Sequence, residues 1–128
     1  MDSISNIVTR LKNAAHAKRQ SITLPHSKFA EAALKALHRA GYMESVGARG
    51  EKPKRTLEAT LKYENDSPVF NEVLRISKPS RRLYRSAKEI RRVRAGYGKM
   101  FLTTSRGIMT DSEARKAKIG GEPLFQIW

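Results

Sequence analysis

The run Met100-Phe101-Leu102, followed by Thr103-Thr104-Ser105-Arg106-Gly107 and then Thr110-Asp111-Ser112-Glu113, leaves the chain little choice of local structure. An apolar, strand-like run leads into three hydroxyl side chains, and Gly107 lets extended backbone turn through positive φ at no steric cost. Thr110 and Glu113 then have capping-box spacing: the threonine oxygen accepts from the Glu113 amide while the carboxylate reaches back to the Thr110 amide. The spacing predicts a short helix that stops at Gly120-Gly121, where a glycine suits the left-handed C′ position. Strand, hydroxyl loop, capped helix, double glycine and a last strand over Glu122–Trp128 make one compact unit.

Upstream, the patterns are of a different kind. Ile4, Ile7, Val8, Leu11 and Ala15 recur at helical spacing over residues 3–17, with Asp2 or Ser3 as the cap. Asn6, Arg10 and Asn13 fall on the opposite face, where a solvated helix face is the plain reading. Ser21–Pro25 is β-branched and closed by proline, so it reads as a short strand. Ser27 caps a second helix, with Ala30, Ala33, Leu34 and Leu37 as its buried stripe and Gly41 as its end. Met43–Arg49 and Thr56–Tyr63 form a hairpin, the second strand placing Leu57, Ala59, Leu61 and Tyr63 on one side and Glu58, Thr60 and Lys62 on the other.

Glu64-Asn65-Asp66-Ser67-Pro68 is polar and turn-rich, which places a lobe boundary there. The fold class expected is therefore α+β in two small lobes. Residues 1–64 form an N-terminal α/β lobe of two helices on a three-stranded sheet, and residues 65–128 a C-terminal, mostly-β lobe with one short helix.

The second lobe carries most of the charge argument. From Arg75 to Arg94 there are nine cations (Arg75, Lys78, Arg81, Arg82, Arg85, Lys88, Arg91, Arg92, Arg94) against the single acid Glu89. Leu74, Ile76, Leu83, Tyr84, Ile90 and Val93 interleave with them, so the run is a structured surface and not a tail. Pro79-Ser80 reads as a turn between short strands, and Ala95-Gly96-Tyr97-Gly98 as a loop before the strand Lys99–Leu102. Over the whole chain 26 Lys and Arg stand against 12 Asp and Glu, a net charge of +14. An excess of that size calls for a polyanionic partner, with nucleic acid ahead of a membrane, since no long apolar run is present.

Catalysis finds no support in the same residues. His16, His26 and His38 make no metal-type pair, the acids are scattered, and Gly96-Tyr97-Gly98 lacks the rest of a phosphate loop. No cysteine is present, which removes disulfides and thiolate metal sites. Met1-Asp2-Ser3-Ile4 has no signal-peptide pattern, so the expectation is a cytoplasmic protein with no catalytic group, metal or cofactor.

Thr103–Asp111 with Gly120-Gly121-Glu122 resembles the C-terminal signature of the bacterial small-subunit ribosomal protein eight family: Ser-Thr-Ser-Lys/Arg-Gly-hydrophobic-Met-Thr-Asp, then Gly-Gly-Glu. Thr9-Arg10-Leu11-Lys12-Asn13-Ala14 is similar to the pattern of that family's first helix. Leu61-Lys62-Tyr63, Ile76-Ser77-Lys78-Pro79 and Arg82-Leu83-Tyr84 also fall in its order. Thr103 stands for the usual serine, Ser80 for a common glycine, and Phe125 and Gln126 for a common cysteine and tyrosine. Pro123 lacks a backbone donor, which suits only an edge or a bulge.

The resemblance implies a primary-binding protein that clamps a helical junction in the central domain of small-subunit rRNA early in assembly. Neighbouring small-subunit proteins are implied partners, protein five first among them. Repression of its own operon messenger RNA is an alternative role, and a generic basic nucleic-acid-binding protein, including a DNA-bending one, is the alternative outside the family. The RNA-binding residues implied are Thr103, Thr104, Ser105, Arg106, Gly107, Gly121 and Glu122, then Tyr84, Arg82 and Lys78, and on the first helix Arg10 and Asn13. For several of them a plain structural role stays open. The hydroxyls can bond their own turn, Tyr84 can be core, and Glu122 can brace the loop instead of touching a base.

Overall fold

The computed structural model describes residues 3–78 and 83–128; Asp2, the expected turn at Pro79-Ser80, and Arg81 and Arg82 lie outside them. The fold is α+β, and the chain separates into two compact units, Met1–Asn71 and Glu72–Trp128.

In the first unit, α1 (Ser3–His16) buries Ile7, Val8, Leu11, Ala14 and Ala15, and α2 (Lys28–Arg39) buries Ala30, Ala33, Leu34, Ala36 and Leu37. Ser27 caps α2, its hydroxyl accepting from the Ala30 amide at 3.0 Å. The sheet has the order β1-β3-β2, all antiparallel, from β1 (Ser21–Pro25), β2 (Met43–Arg49) and β3 (Thr56–Leu61). Leu57, Ala59 and Leu61 form its buried face, as the alternation predicts.

The third strand is shorter than its pattern suggests. It stops at Leu61, because Tyr63-Glu64 (β4) leaves to pair with Ser67-Pro68 (β5) in a separate two-stranded hairpin. Tyr63 is therefore not on the buried face; its hydroxyl donates to the Arg19 carbonyl at 2.6 Å. The turn-rich Glu64–Pro68 stretch belongs to this hairpin, and the following Phe70 is fully buried against the edge of the Tyr42 ring at 6.1 Å. The division between compact units accordingly falls after Asn71.

The second unit is a four-stranded sheet of order β6-β9-β7-β8, from β6 (Val73–Arg75), β7 (Lys99–Thr104), β8 (Gly107–Thr110) and β9 (Glu122–Ile127), with α3 (Asp111–Ala117) packed against it. One face buries Met100 and Leu102 under Ile90, Val93 and Ala114. Phe101 and Phe125 are paired neighbours elsewhere on the sheet, stacked with centroids 5.1 Å apart and fully buried. Phe125 thus fills a core position.

Pro123 lies on an interior strand and is accommodated by a bulge: Phe101 pairs Phe125 but Leu102 pairs Pro123, so Leu124 is extra. The Leu124 carbonyl is not wasted, since it accepts from the amides of Ile76 and Ser77 at 2.9 and 3.2 Å. Segment 85–98 is built from short 3-10 turns at Ala87–Glu89 and Arg94–Gly96, and Arg94 stacks its guanidinium 4.1 Å from the Trp128 ring centre.

The capping box is formed as the spacing requires. Glu113 N donates to Thr110 Oγ1 at 3.2 Å and Thr110 N to Glu113 Oε1 at 3.0 Å, with Thr110 buried. Thr110→Val, which keeps the shape but deletes the acceptor, is expected to cost about 1–2 kcal/mol, read from the urea midpoint at unchanged slope. Among the described residues, no helix is long and apolar enough to cross a membrane.

Candidate nucleic-acid interface

The hydroxyl stretch is a hairpin and not a loop. β7 runs on through Thr103 and Thr104, Ser105-Arg106 form a two-residue turn, and Gly107 enters β8 paired with Thr104 at φ +97°. The sequence concealed β8 because Gly107–Thr110 holds only two apolar residues before the helix cap. The three hydroxyls consequently have different fates. Thr104 Oγ1 donates to the Gly107 carbonyl at 2.7 Å and accepts from the Arg106 amide at 3.1 Å, so it braces the turn. Ser105 is exposed at the tip, and among the described residues its hydroxyl has no partner. Thr103 is half-buried, and Arg106 is exposed beside Ser105.

Helix α3 does not end on a glycine. Lys118 takes the left-handed position (φ +58°), and its amide and that of Ile119 close the last turn on Ala114 and Arg115 carbonyls. Gly120 and Gly121 are needed for close approach instead. Arg85 and Gly121 exchange both backbone hydrogen bonds, at 2.8 and 2.9 Å, which lays residues 84–86 against the start of β9. A Cβ on Gly120 would stand 2.5 Å from the Arg85 carbonyl oxygen and 2.6 Å from the Tyr84 hydroxyl. A Cβ on Gly121 would stand 2.6 Å from the Thr103 carbonyl oxygen and 2.8 Å from Thr104 Cγ2. The glycine pair is thus the seam that joins the Tyr84 segment to the hydroxyl hairpin.

Glu122 pairs with Thr103 across the same seam. Its side chain is half-buried and accepts no hydrogen bond among the described residues, so it does not brace the turn. Tyr84 is 69% exposed, which removes the core alternative for its ring. One end of the second unit therefore gathers Tyr84, Thr103, Ser105, Arg106, Gly121 and Glu122, the ring and hydroxyl presented to solvent on a rigid base.

The remaining expected residues are placed separately. Lys78 is exposed on the second unit, and Arg82 lies outside the described residues. On α1, Arg10 and Asn13 are exposed, and Arg10 Nε donates to Asn6 Oδ1 at 2.9 Å. Gly120 was missed among the site residues by sequence reasoning, although the doublet itself was the signal. The single acid of the basic run, Glu89, is exposed but engaged by its own turn. Hydrogen bonds from the Ser86 amide and hydroxyl, helped by the Arg85 charge, hold its carboxyl below the usual carboxylate range. Among the described residues of the run, Lys78, Arg85, Lys88, Arg91, Arg92 and Arg94 are exposed, with Glu89 the one acid beside them.

A family model described as Ribosomal protein S8 matches residues 2–128. The chain belongs to the ribosomal protein S8 family. It is similar to proteins named small ribosomal subunit protein uS8, with 41% identity to that of Mycoplasmopsis synoviae over 99% of this chain and 97% of the relative. The Dictyoglomus thermophilum protein is 41% identical at the same coverages, and that of Campylobacter lari 42% identical over 99% and 98%. Membership makes the chain a structural constituent of the ribosome and not an enzyme.

Proposed function

We propose that this protein is a primary rRNA-binding constituent of the cytoplasmic small ribosomal subunit. It holds a helical junction of the central domain, with neighbouring small-subunit proteins such as protein five beside it. The observation that carries the reading is the gathering, at one sheet end, of an exposed tyrosine ring and a serine hydroxyl with no partner among the described residues, on a base set by the close backbone approach at Gly120 and Gly121. Such short, rigid, uncharged groups suit the shallow minor groove of A-form RNA, where 2′-hydroxyls are donors and acceptors, and Tyr84 supplies a face for an unstacked base. Glu122 accepts from a base amino group, a contact that a phosphate would not offer. Arg106, Lys78, Arg82 and the α1 pair Arg10 and Asn13 supply backbone contacts that fix register.

Affinity and selectivity separate under mutation. Ser105→Ala is expected to weaken binding to the central-domain junction about tenfold, the value of one charge-neighboured hydrogen bond, and to leave random RNA of equal length nearly unchanged. Lys78→Ala is expected to weaken both RNAs alike and to lower the slope of log K against log salt by about one. Filter binding at several salt concentrations measures both; equal losses of the two RNAs in Ser105→Ala would reject selective reading by the hairpin.

A further inference from the structure

A shallow concavity of about 300 Å³ lies on the second unit, lined from the 85–93 segment and β9, and none of Thr103–Gly107 or Gly120–Glu122 lines it. Its floor is aliphatic: Ile76, Val93, Met100 and Pro123. Arg85, Arg91 and Arg92 line it as well, all exposed, and among the described residues none of these guanidiniums forms a salt bridge, although the Arg85 charge acts on the neighbouring Glu89. Glu89, the one acid of the lining, is exposed and accepts through Oε1 from the Ser86 amide and hydroxyl at 3.0 and 2.9 Å, which leaves three cations of the lining against one anion. Gln126 carries the surface on toward β6, where its pairing partner Leu74 is 52% exposed.

Cations over an aliphatic floor select a particular occupant. A phosphate needs only donors and gains nothing from Ile76 and Met100, and a splayed base needs an aromatic face, which this lining lacks. An aliphatic side chain gains burial on that floor, and carboxylates flanking it match the planar fork of each arginine. We propose that this concavity docks a segment of a neighbouring protein that presents an aliphatic side chain flanked by acidic ones. The proposal rests on the reading of the chain as a ribosomal constituent, which surrounds it with protein neighbours, and it uses no residue of the hydroxyl hairpin.

The test is an amide-resolved NMR titration of the full chain with a synthetic peptide, Glu-Asp-Leu-Glu-Leu-Asp-Glu, at moderate salt. Shifts are expected to concentrate at Ile76, Arg85–Val93, Met100 and Gln126. Replacing both leucines by serine is expected to weaken binding at least about fivefold through lost apolar burial. The double variant Arg91→Ser with Arg92→Ser is expected to weaken it about tenfold while the rest of the spectrum stays that of the folded protein. Equal affinity of the serine peptide, or shifts scattered over the other cations of the chain, would overturn the proposal. In a second arm the central-domain RNA fragment is added first. The peptide is expected to bind the RNA-loaded protein with unchanged affinity, and displacement by RNA would make the concavity a nucleic-acid contact and end the proposal. The Ser105→Ala selectivity is read independently of both arms, so failure here and failure of the RNA reading are distinguishable.

Discussion

Asp111→Ala is expected to lower the stability of the folded chain by about 3 kcal/mol, because it removes one buried carboxylate that serves two elements at once. Asp111 is 3% exposed at the start of α3. Its Oδ1 accepts from the Met100 amide at 3.1 Å, near the start of β7, and its Oδ2 accepts from Arg115 Nη1 at 2.9 Å one helical turn on. β8 reaches along β7 only to Phe101, so without Asp111 the buried Met100 N–H loses its acceptor at a cost of roughly 1–3 kcal/mol. The ion pair adds less, since the Arg115 side chain is partly exposed and turns to water when its partner is gone. Position also matters, as a carboxylate in the first turn of a helix interacts favourably with the exposed amides there. Asp111→Asn keeps an oxygen for Met100 and is expected to lose only about 1 kcal/mol. Urea unfolding of the two variants checks the account, and equal losses would show that the backbone acceptor is not what matters.

The second large effect falls on Gly121. Gly121→Ala puts a methyl group 2.6 Å from a backbone oxygen of β7, and neither strand can yield without breaking the Arg85–Gly121 pair or the Thr103–Glu122 register. Overpacking of this kind costs about 1–3 kcal/mol, and the expected value is at the upper end because the obstacle is main chain and not a flexible side-chain tip. The functional loss is expected to exceed the structural one. Tyr84 and the hairpin are positioned through this seam, so affinity for the rRNA junction is expected to fall roughly a hundredfold, while the salt-dependent affinity for random RNA remains. Gly107→Ala is the useful comparison. Its Cβ would meet nothing within 4 Å, so only the positive φ resists it, and its cost is expected to stay near 1 kcal/mol.

Local features are legible in the sequence because they depend on neighbours a few residues away. The Thr110–Glu113 box, the Ser27 cap and the apolar stripes of α1 and α2 are of that kind. Readings that depend on distant chain were less legible. Gly120-Gly121 has the composition of a helix terminus, yet its role follows from Tyr84–Ser86, brought alongside from far upstream. Thr104 and Ser105 are indistinguishable as hydroxyls in a turn-prone stretch, and only the two-residue register of the hairpin makes one a brace and the other a tip. Tyr63 continued a clean alternation, but pairing with Pro68 drew it out of the sheet. Pro123 was legible as an edge or a bulge, and the strand order chose between them.

The most direct measurement exploits the lack of native cysteine. A single Arg106→Cys variant, carrying a tethered iron chelate at the hairpin tip, is bound to small-subunit rRNA and the RNA is probed by locally generated hydroxyl radicals. The account predicts strand cleavage confined to one helical junction of the central domain, distinct from the pattern of a Lys35→Cys control on exposed α2. Cleavage spread over the RNA, or none while the control still cleaves, would contradict it.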